Sequence, residues 1–387
     1  MEYIFWISLF LIFYTFLGYG MLLYVLVKLK RLFSKPSPFQ AENLPSCTLV
    51  VAAFNEEEFL EEKIRNTLEL EYPAGTLKYF FVSDGSSDRT PEIIQQYPQI
   101  TEFHQPERRG KIHAVHRVME FVDTDVVVFT DANTLLNKKA LIKLCRHYAD
   151  RKVGAVAGEK RVSSEGAGDA TSGEGFYWKY ESKLKKWDSE LYSVVGAAGE
   201  LFSIRRDLYV PVSPDSILDD FMVSMRIAEK GYRIVYEPDA FATETASENV
   251  GEELKRKIRI AAGGIQSIIW LKNLFIPFKY PVLTFQYISH RVLRWTITPF
   301  LLFLVFFLNV LLVNRLDNPV YDILLWAQVL FYLIATGGWL LARRDLKVKA
   351  LFIPYYFCLM NYAVLIGIYR YIFGAQSVLW EKARRKQ

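Results

Sequence analysis

Cysteine is scarce in this sequence. Only Cys47, Cys145 and Cys358 occur in 387 residues, far apart and with no Cys-x-x-Cys pair. That excludes a disulfide scaffold and a cysteine zinc cluster, and it suits a reducing compartment. Net charge is also small. The 47 Lys+Arg against 42 Asp+Glu leave +5, with no Lys/Arg stripe, so no nucleic-acid partner is expected. No Ser-His-Asp or Cys-His arrangement is evident, and there is no internal repeat or low-complexity segment. With 51% hydrophobic and 15% aromatic residues, the chain is too apolar to be disordered.

Charge is missing altogether from four stretches: Tyr3 to Val27, Trp295 to Val313, Ile323 to Ala342 and Ala350 to Tyr369. A helix needs about 20 apolar residues to cross the hydrocarbon of a bilayer. Each run is long enough, and aromatics cluster near the ends. The first run is not expected to be a signal peptide: Glu2 leads it, its apolar part is too long, and no small-x-small site follows. Lys28, Lys30, Arg31 and Lys35 come directly after it, which by the positive-inside bias puts the N-terminus outside and the following domain in the cytoplasm. Arg291, Arg294, Arg343, Arg344, Lys347 and Lys349 agree. The basic tail Lys382 to Lys386 does not, because four crossings would place it outside. The expected organisation is an N-terminal transmembrane helix over 1–27, a linker over 28–45 and a catalytic domain over 46–262. Interfacial helices over 263–294, transmembrane helices over 295–373 and a basic tail over 374–387 complete it.

Between the apolar ends, Cys47 to Ala53, Tyr79 to Ser83 and Asp125 to Thr130 read as continuously apolar strands, and helical patterns follow each of them. That alternation predicts an α/β fold with a parallel sheet and helices on both faces. Ligands bind beyond the carboxyl ends of such strands, and here those ends carry Asn55-Glu56, Asp84 and Asp131.

The chemistry of these positions follows from their side chains. Asp84-Gly-Ser-Ser-Asp88 reads as a turn and helix cap, or as a carboxylate that meets a nucleotide base or ribose. Asp131-Ala-Asn133 offers two oxygen donors two residues apart, suited to Mg²⁺ or Mn²⁺ completed by substrate phosphates, and it also reads as a cap. Arg109-Gly-Lys111 precedes a helix, where phosphate or a base carbonyl binds well. Asp219-Asp220 opens an amphipathic helix; adjacent acids in apolar surroundings raise one pKa towards that of a general base. Arg256 and Arg259, one turn apart, clamp a diphosphate or face the membrane surface. From Phe176 to Leu191, Trp178, Tyr180, Leu184 and Trp187 alternate with lysines, as in a helix lying in the bilayer interface.

In this order and at these spacings the pieces resemble membrane-integrated family 2 glycosyltransferases, a group that includes hyaluronan, chitin-oligosaccharide and poly-N-acetylglucosamine synthases and ceramide glucosyltransferases. The carriers are Val51 to Glu57, Ser83 to Thr90, Arg109 to Lys111, Thr130 to Asn133, Gly196 to Arg206, Leu218 to Asp220 and Arg256 to Arg259. The resemblance implies a GT-A, Rossmann-like nucleotide-sugar-binding domain with flanking transmembrane and interfacial helices, and an inverting transfer from a nucleotide-diphosphate sugar. It implies that Ala53, Asn55, Glu57, Asp84 and Lys111 hold the nucleotide, that Asp131 and Asn133 hold the metal and diphosphate, and that Asp220 deprotonates the acceptor. Arg256 and Arg259 match the Gln/Arg-x-x-Arg-Trp motif. Two positions depart from the pattern: Asn133 stands for the second aspartate, and Ile260 for the Trp that helps hold the acceptor in polymerising members.

The expected partners are a sugar nucleotide, a glycan or lipid acceptor and membrane lipid, and a homo-oligomer is left open. The expected location is the plasma or inner membrane. A cell-envelope or extracellular polysaccharide and a glycolipid are both open as products. The rival classes are a sugar nucleotidyltransferase, which has no need of four spans, and a non-enzymatic membrane scaffold or transporter with an inactive domain.

Overall fold

A computed structural model describes residues 1–33, 44–162, 171–245, 250–344, 346 and 348–377, with side chains for all of these except 171–177. Residues 34–43 of the linker expected over 28–45, Lys347 and most of the basic tail lie outside the described residues.

The first helix, α1 (Glu2–Phe13), continues through one wider turn, Tyr14–Gly18, into α2 (Tyr19–Phe33). The helix therefore runs six residues past the expected boundary at 27. The central domain then alternates. Strand β1 (Cys47–Ala53) is followed by α3 (Glu57–Leu68), β2 (Leu77–Asp84), α4 (Thr90–Gln95), β3 (Ile100–Gln105) and α5 (Lys111–Met119). Next come β4 (Val126–Asp131), β5 (Leu135–Leu136), α6 (Ala140–Cys145), β6 (Val153–Val162) and α7 (Thr171–Leu191). Strand β7 (Leu201–Arg205), α8 (Asp219–Glu229) and β8 (Arg233–Glu244) complete it. The C-terminal part holds α9 (Val250–Trp270), α10 (Pro281–Tyr287), α11 (Leu293–Trp295), α12 (Thr298–Val313), α13 (Pro319–Ala342) and α14 (Lys349–Ile372). Helix α9 is continuous through the boundary expected at 262.

The strands form one sheet in the order β3-β2-β1-β4-β7-β6-β8-β5. The half from β3 to β4 is parallel, as expected, and its residues alternate between two buried layers. Leu49, Val51, Phe81 and Val128 pack with Ile64 and Leu141 on one face; Val50, Phe80, Val82 and Val127 pack with Ile112 and Val115 on the other. Burial on both faces is why these strands read as continuous apolar runs. The other half corrects the expectation of a parallel sheet. Strand β7 is antiparallel to both β4 and β6, and β5 is antiparallel to β8.

Among the described residues, three helices are long and apolar enough to cross a membrane: Glu2–Phe33, Pro319–Ala342 and Lys349–Ile372. The run from Trp295 to Val313 is not one straight span. Trp295 ends the preceding helical segment, and α12 begins after a bend of 60°. Pro299 explains the break, since its ring clashes with the carbonyl four residues back and it has no N–H to donate. Helix α12 alone is about 24 Å long, short of a hydrocarbon core of about 30 Å.

Helix α7 also departs from expectation. Glu181, Leu184, Lys185, Asp188 and Ser189 are buried, so one face belongs to the protein interior while Lys179, Lys183 and Lys186 stay exposed. Lys30 donates to the last carbonyls of α7, those of Glu190 and Leu191, at 2.8 Å each, and Arg31 pairs with Glu190 at 2.5 Å. A buried ionic cluster completes the junction. His290 bridges Asp188 (2.5 Å) and Glu181 (3.1 Å), Glu181 also meets Arg291 (2.9 Å) and Arg294 (3.0 Å), and the Tyr19 hydroxyl donates to Asp188. Burial raises the Glu181 pKa, but Arg291, His290 and Arg294 outweigh it and hold the carboxyl well below the usual range.

The cluster ties the N-terminal helix, α7 and the segment before α12 into one body. Glu181→Gln removes the carboxylate that Arg291 and Arg294 meet and leaves His290 only that of Asp188, and it is expected to destabilise the protein by about 3–5 kcal/mol. Thermal unfolding in detergent checks this, and an unchanged Tm contradicts it.

Candidate functional site

The register of the parallel strands sets the site. Ala53 pairs with Ser83 and Ala52 with Asp131, so β1, β2 and β4 end level, and their carboxyl ends share one edge. Three of the expected residues knit the loops there. Asn55 adopts a positive φ of 54°, and its Oδ1 accepts from the Ser87 N–H at 2.8 Å. The Glu57 N–H donates to Asp88 at 3.1 Å while the Glu57 carboxylate accepts from the Arg89 N–H at 3.0 Å, which ties the start of α3 to the turn that leads into α4. Ala53 is buried at the strand end. Asp84 is buried as well, and its two oxygens accept the backbone N–H groups of Arg109 (3.2 Å) and Gly110 (2.6 Å). The carboxylate thus positions the loop that leads into α5. Gly85 permits this close approach, since a Cβ there would come within 2.6 Å of the Arg108 backbone nitrogen.

With that loop fixed, the Lys111 ammonium reaches Asp131 at 2.5 Å. It also neighbours Asp220: a Cβ placed on Gly199 would lie 3.2 Å from both Lys111 Nζ and Asp220 Oδ2. Burial lowers the Lys111 pKa, yet the attraction of Asp131, Asp219 and Asp220 outweighs it and raises the value. Asp219 and Asp220 open α8, where the helix dipole favours negative charge. Burial, then repulsion from Asp219, push Asp220 up to about 7 against the pull of Lys111. Its Oδ1 accepts from the Phe221 N–H at 2.7 Å.

Arg256 and Arg259 behave differently from each other. Arg256 is held by Glu244 (3.2 Å) and Glu200 (3.7 Å), acids that Lys160 also engages, so it sits inside an ion cluster. Burial lowers its pKa, but Glu244, Glu253 and Glu200 outweigh that and raise it. Arg259 donates to the Ile217 carbonyl at 3.2 Å, and its buried Nε has no partner among the described residues. Burial lowers its pKa despite Asp219, Asp220 and Asp131 nearby.

Lys111, Asp131, Asp219, Asp220, Arg256 and Arg259 line one cavity of about 610 Å³, a volume typical of ligand sites. Asp84 and the β1–α3 loop stand at the sheet edge beside it. The cavity continues past Ile260 and Trp295 to Met360, Ala363 and Val364 on α14, one of the helices long enough to cross a membrane. Sequence reasoning missed Lys160, Glu200 and Glu244 at its wall. Glu200 stands within the Gly196–Arg206 segment without a role being read from it, and the other two follow only from the strand pairing of β6 with β8.

The residues present fit a divalent cation. Asp131 supplies a carboxylate, and the Oδ1 of Asn133 is buried without a hydrogen-bond partner among the described residues. One carboxylate and one amide oxygen suit a hard ion that takes its other ligands from substrate phosphates and water.

Comparison with known proteins agrees with this geometry. Residues 48–210 match the family described as Glycosyl transferase family 2. The poly-beta-1,6-N-acetyl-D-glucosamine synthase of Staphylococcus aureus (strain COL) is 28% identical over 256 residues, covering 64% of this chain and 60% of that protein. The chain thus spans about 60% of the length of that relative. The synthase of the same name from Staphylococcus epidermidis is 24% identical over 299 residues, 72% of each. Among solved structures, a mannosyltransferase (PcManGT) from Pyrobaculum calidifontis in complex with GDP-Man and Mn²⁺ has a TM-score of 0.69 and 24% identity. It matches over 96% of this chain and 100% of its own length, and it shares the fold. The chain carries a glycosyltransferase family 2 domain on a GT-A fold, flanked by helices apolar enough to cross a membrane.

Proposed function

We propose that the protein transfers a sugar from a nucleotide-diphosphate sugar to a membrane-associated acceptor, as a step in the synthesis of a cell-envelope or extracellular polysaccharide. The observation that carries this reading is Lys111, paired with Asp131 and beside Asp220, in a cavity that α14 also lines. A displacement at the anomeric carbon needs a base for the acceptor hydroxyl and positive charge for the leaving diphosphate, and both are at hand.

In this reading the edge formed by Ala53, Asn55, Glu57 and Asp84 shapes the nucleotide site. Arg259, with an unfilled Nε, and Lys111 face the diphosphate. Arg256 acts through the acids it pairs with. Asp131 and Asn133 would hold Mg²⁺ or Mn²⁺, and such an ion neutralises charge on the departing diphosphate. Asp220 takes the acceptor proton as the acceptor oxygen bonds to the anomeric carbon and the bond to the diphosphate breaks. The configuration inverts, as the family resemblance implies. The catalytic domain lies at the cytoplasmic side of the membrane, where sugar nucleotides are made. Exposed Ile269, Phe275, Ile276 and Phe278 are suited to the bilayer interface.

One observation favours a second product. Ile260, in place of the expected Trp, lines the cavity beside the apolar α14 residues, a wall suited to a lipid tail, so a glycolipid carrying a single sugar is the alternative.

Incubation with UDP- and GDP-sugars, Mn²⁺ and membrane lipid is expected to release nucleoside diphosphate from one donor. Asp220→Asn is expected to slow this by about 10²–10⁴-fold. Equal rates remove Asp220 from the mechanism. In the same reaction, mass spectrometry separates a polymer ladder from a single added sugar.

The pKa of Asp220 gives a second test. A base that must be ionised loses activity as pH falls, so kcat/KM is expected to drop below an apparent pKa near 7. The folded-state value stands above the ordinary 3.8, so the folded protein holds this proton more tightly than the unfolded chain, and the stability it contributes is lost progressively as pH rises from 3.8 to about 7. Asp220→Asn is therefore expected to raise Tm more at pH 8 than at pH 5. A Tm difference independent of pH contradicts the assignment.

A further inference from the structure

The charged stretch of α3 reads as a solvated face, with Glu61, Glu62 and Arg65 exposed, yet Lys63 among them is fully buried. It stands three residues after Leu60 and four before Thr67, on the face that packs beneath the sheet edge. Its ammonium donates to the Thr134 carbonyl at 2.7 Å and to Thr130 Oγ1 at 3.2 Å. No carboxylate pairs with it among the described residues. Burial pulls its pKa down to about 7, with Asp131 opposing. A buried ammonium without a counter-ion is costly, and an apolar residue of similar volume would fill the space at less cost.

The two groups it holds bracket the Asp131–Asn133 loop, one immediately before it and one immediately after. The Thr130 hydroxyl donates to the Glu200 carbonyl at 2.9 Å and lies 3.0 Å from the Thr134 hydroxyl, which reaches the Asp131 carbonyl at 2.9 Å. One buried cation therefore ties both ends of the loop together and links them to the segment entering β7. We infer that Lys63 is a positioning residue that sets the Asp131–Asn133 loop for a divalent cation and the donor diphosphate, while touching neither. The inference rests on the metal-assisted transfer proposed above.

Pinning and charge act with opposite signs here. A cation behind Asp131 repels a metal ion, whereas a fixed loop favours one, so the sign of the effect separates the two. The test uses the full chain in detergent, with Mn²⁺ affinity in the presence of UDP or GDP read by electron paramagnetic resonance, and Tm measured without metal. Lys63→Met is expected to weaken Mn²⁺ about tenfold, the scale of lost support behind a metal ligand. Its metal-free Tm is expected to be unchanged or higher, because an uncompensated buried charge is gone. Unchanged or tighter Mn²⁺ binding overturns the inference. Thr130→Val keeps the ammonium and removes one of its two contacts. About a threefold weakening is expected, and this variant decides the matter if Lys63→Met does not fold. A wild type that binds no Mn²⁺ with either nucleotide overturns the proposed function and this inference with it. A wild type that binds Mn²⁺ no better than both variants overturns the inference alone.

Discussion

Asp131, Asp219 and Asp220 bring three carboxylates to one cavity, where their negative charges repel one another. The Lys111 ammonium, 2.5 Å from Asp131 and beside Asp220, is what allows them to share it. In the proposed transfer the arrangement separates their roles. Asp131, paired directly with a cation, is suited to bind charge, while Asp220 keeps a raised affinity for a proton and is suited to take one. The rest of the domain can be understood as the scaffold for that placement. Asp84 spends both oxygens on the backbone of residues 109 and 110, and this aims the first turn of α5, and with it Lys111, at the cavity.

A second layer of buried charge holds the walls apart. Lys160, Glu200, Glu244 and Arg256 close one side. The Glu181–His290–Asp188 cluster joins the N-terminal helix to the segment leading into α12, and Glu181 and Arg291 also line the cavity. The helices apolar enough to cross a membrane and the domain that carries the cavity are thereby one structure, and α14 lines that cavity. Buried ion clusters of this kind add little net stability against an apolar core, but losing one member is costly, which fixes the geometry.

The parallel half of the sheet was legible in the sequence, because strands buried on both faces leave unbroken apolar runs that end in polar residues at one edge. The mixed half was not: β7 runs antiparallel to β4 and β6 while β8 runs parallel to β6, these partners lie far away in the chain, and no local period reveals direction. Asp220 and Asp131 were recognisable from their neighbours, but their pairing through Lys111 depends on a loop set by Asp84, and nothing in the spacing shows that contact. Arg256 looked like Arg259 one turn along, and only the approach of β6 and β8 to α9 tells the two apart. The second apolar run, Trp295 to Val313, reads as a straight span because composition does not register the bend that Pro299 imposes. Lys63 left one faint signal. It falls at the apolar repeat of its helix, between Leu60 and Thr67, where a lysine has no evident reason to be.

The central claim is that Asp131 and Asp220 serve the same transfer in one cavity, the first towards the diphosphate and the second towards the acceptor, with Lys111 beside both. An electron cryomicroscopy structure of the protein with its sugar nucleotide and Mn²⁺ tests this most directly. The account predicts the ion and diphosphate against Asp131 and Asn133, and the anomeric carbon facing Asp220 within the same cavity. Nucleotide bound elsewhere, or a sugar turned away from Asp220 with Asp131 still closed on Lys111, would contradict it.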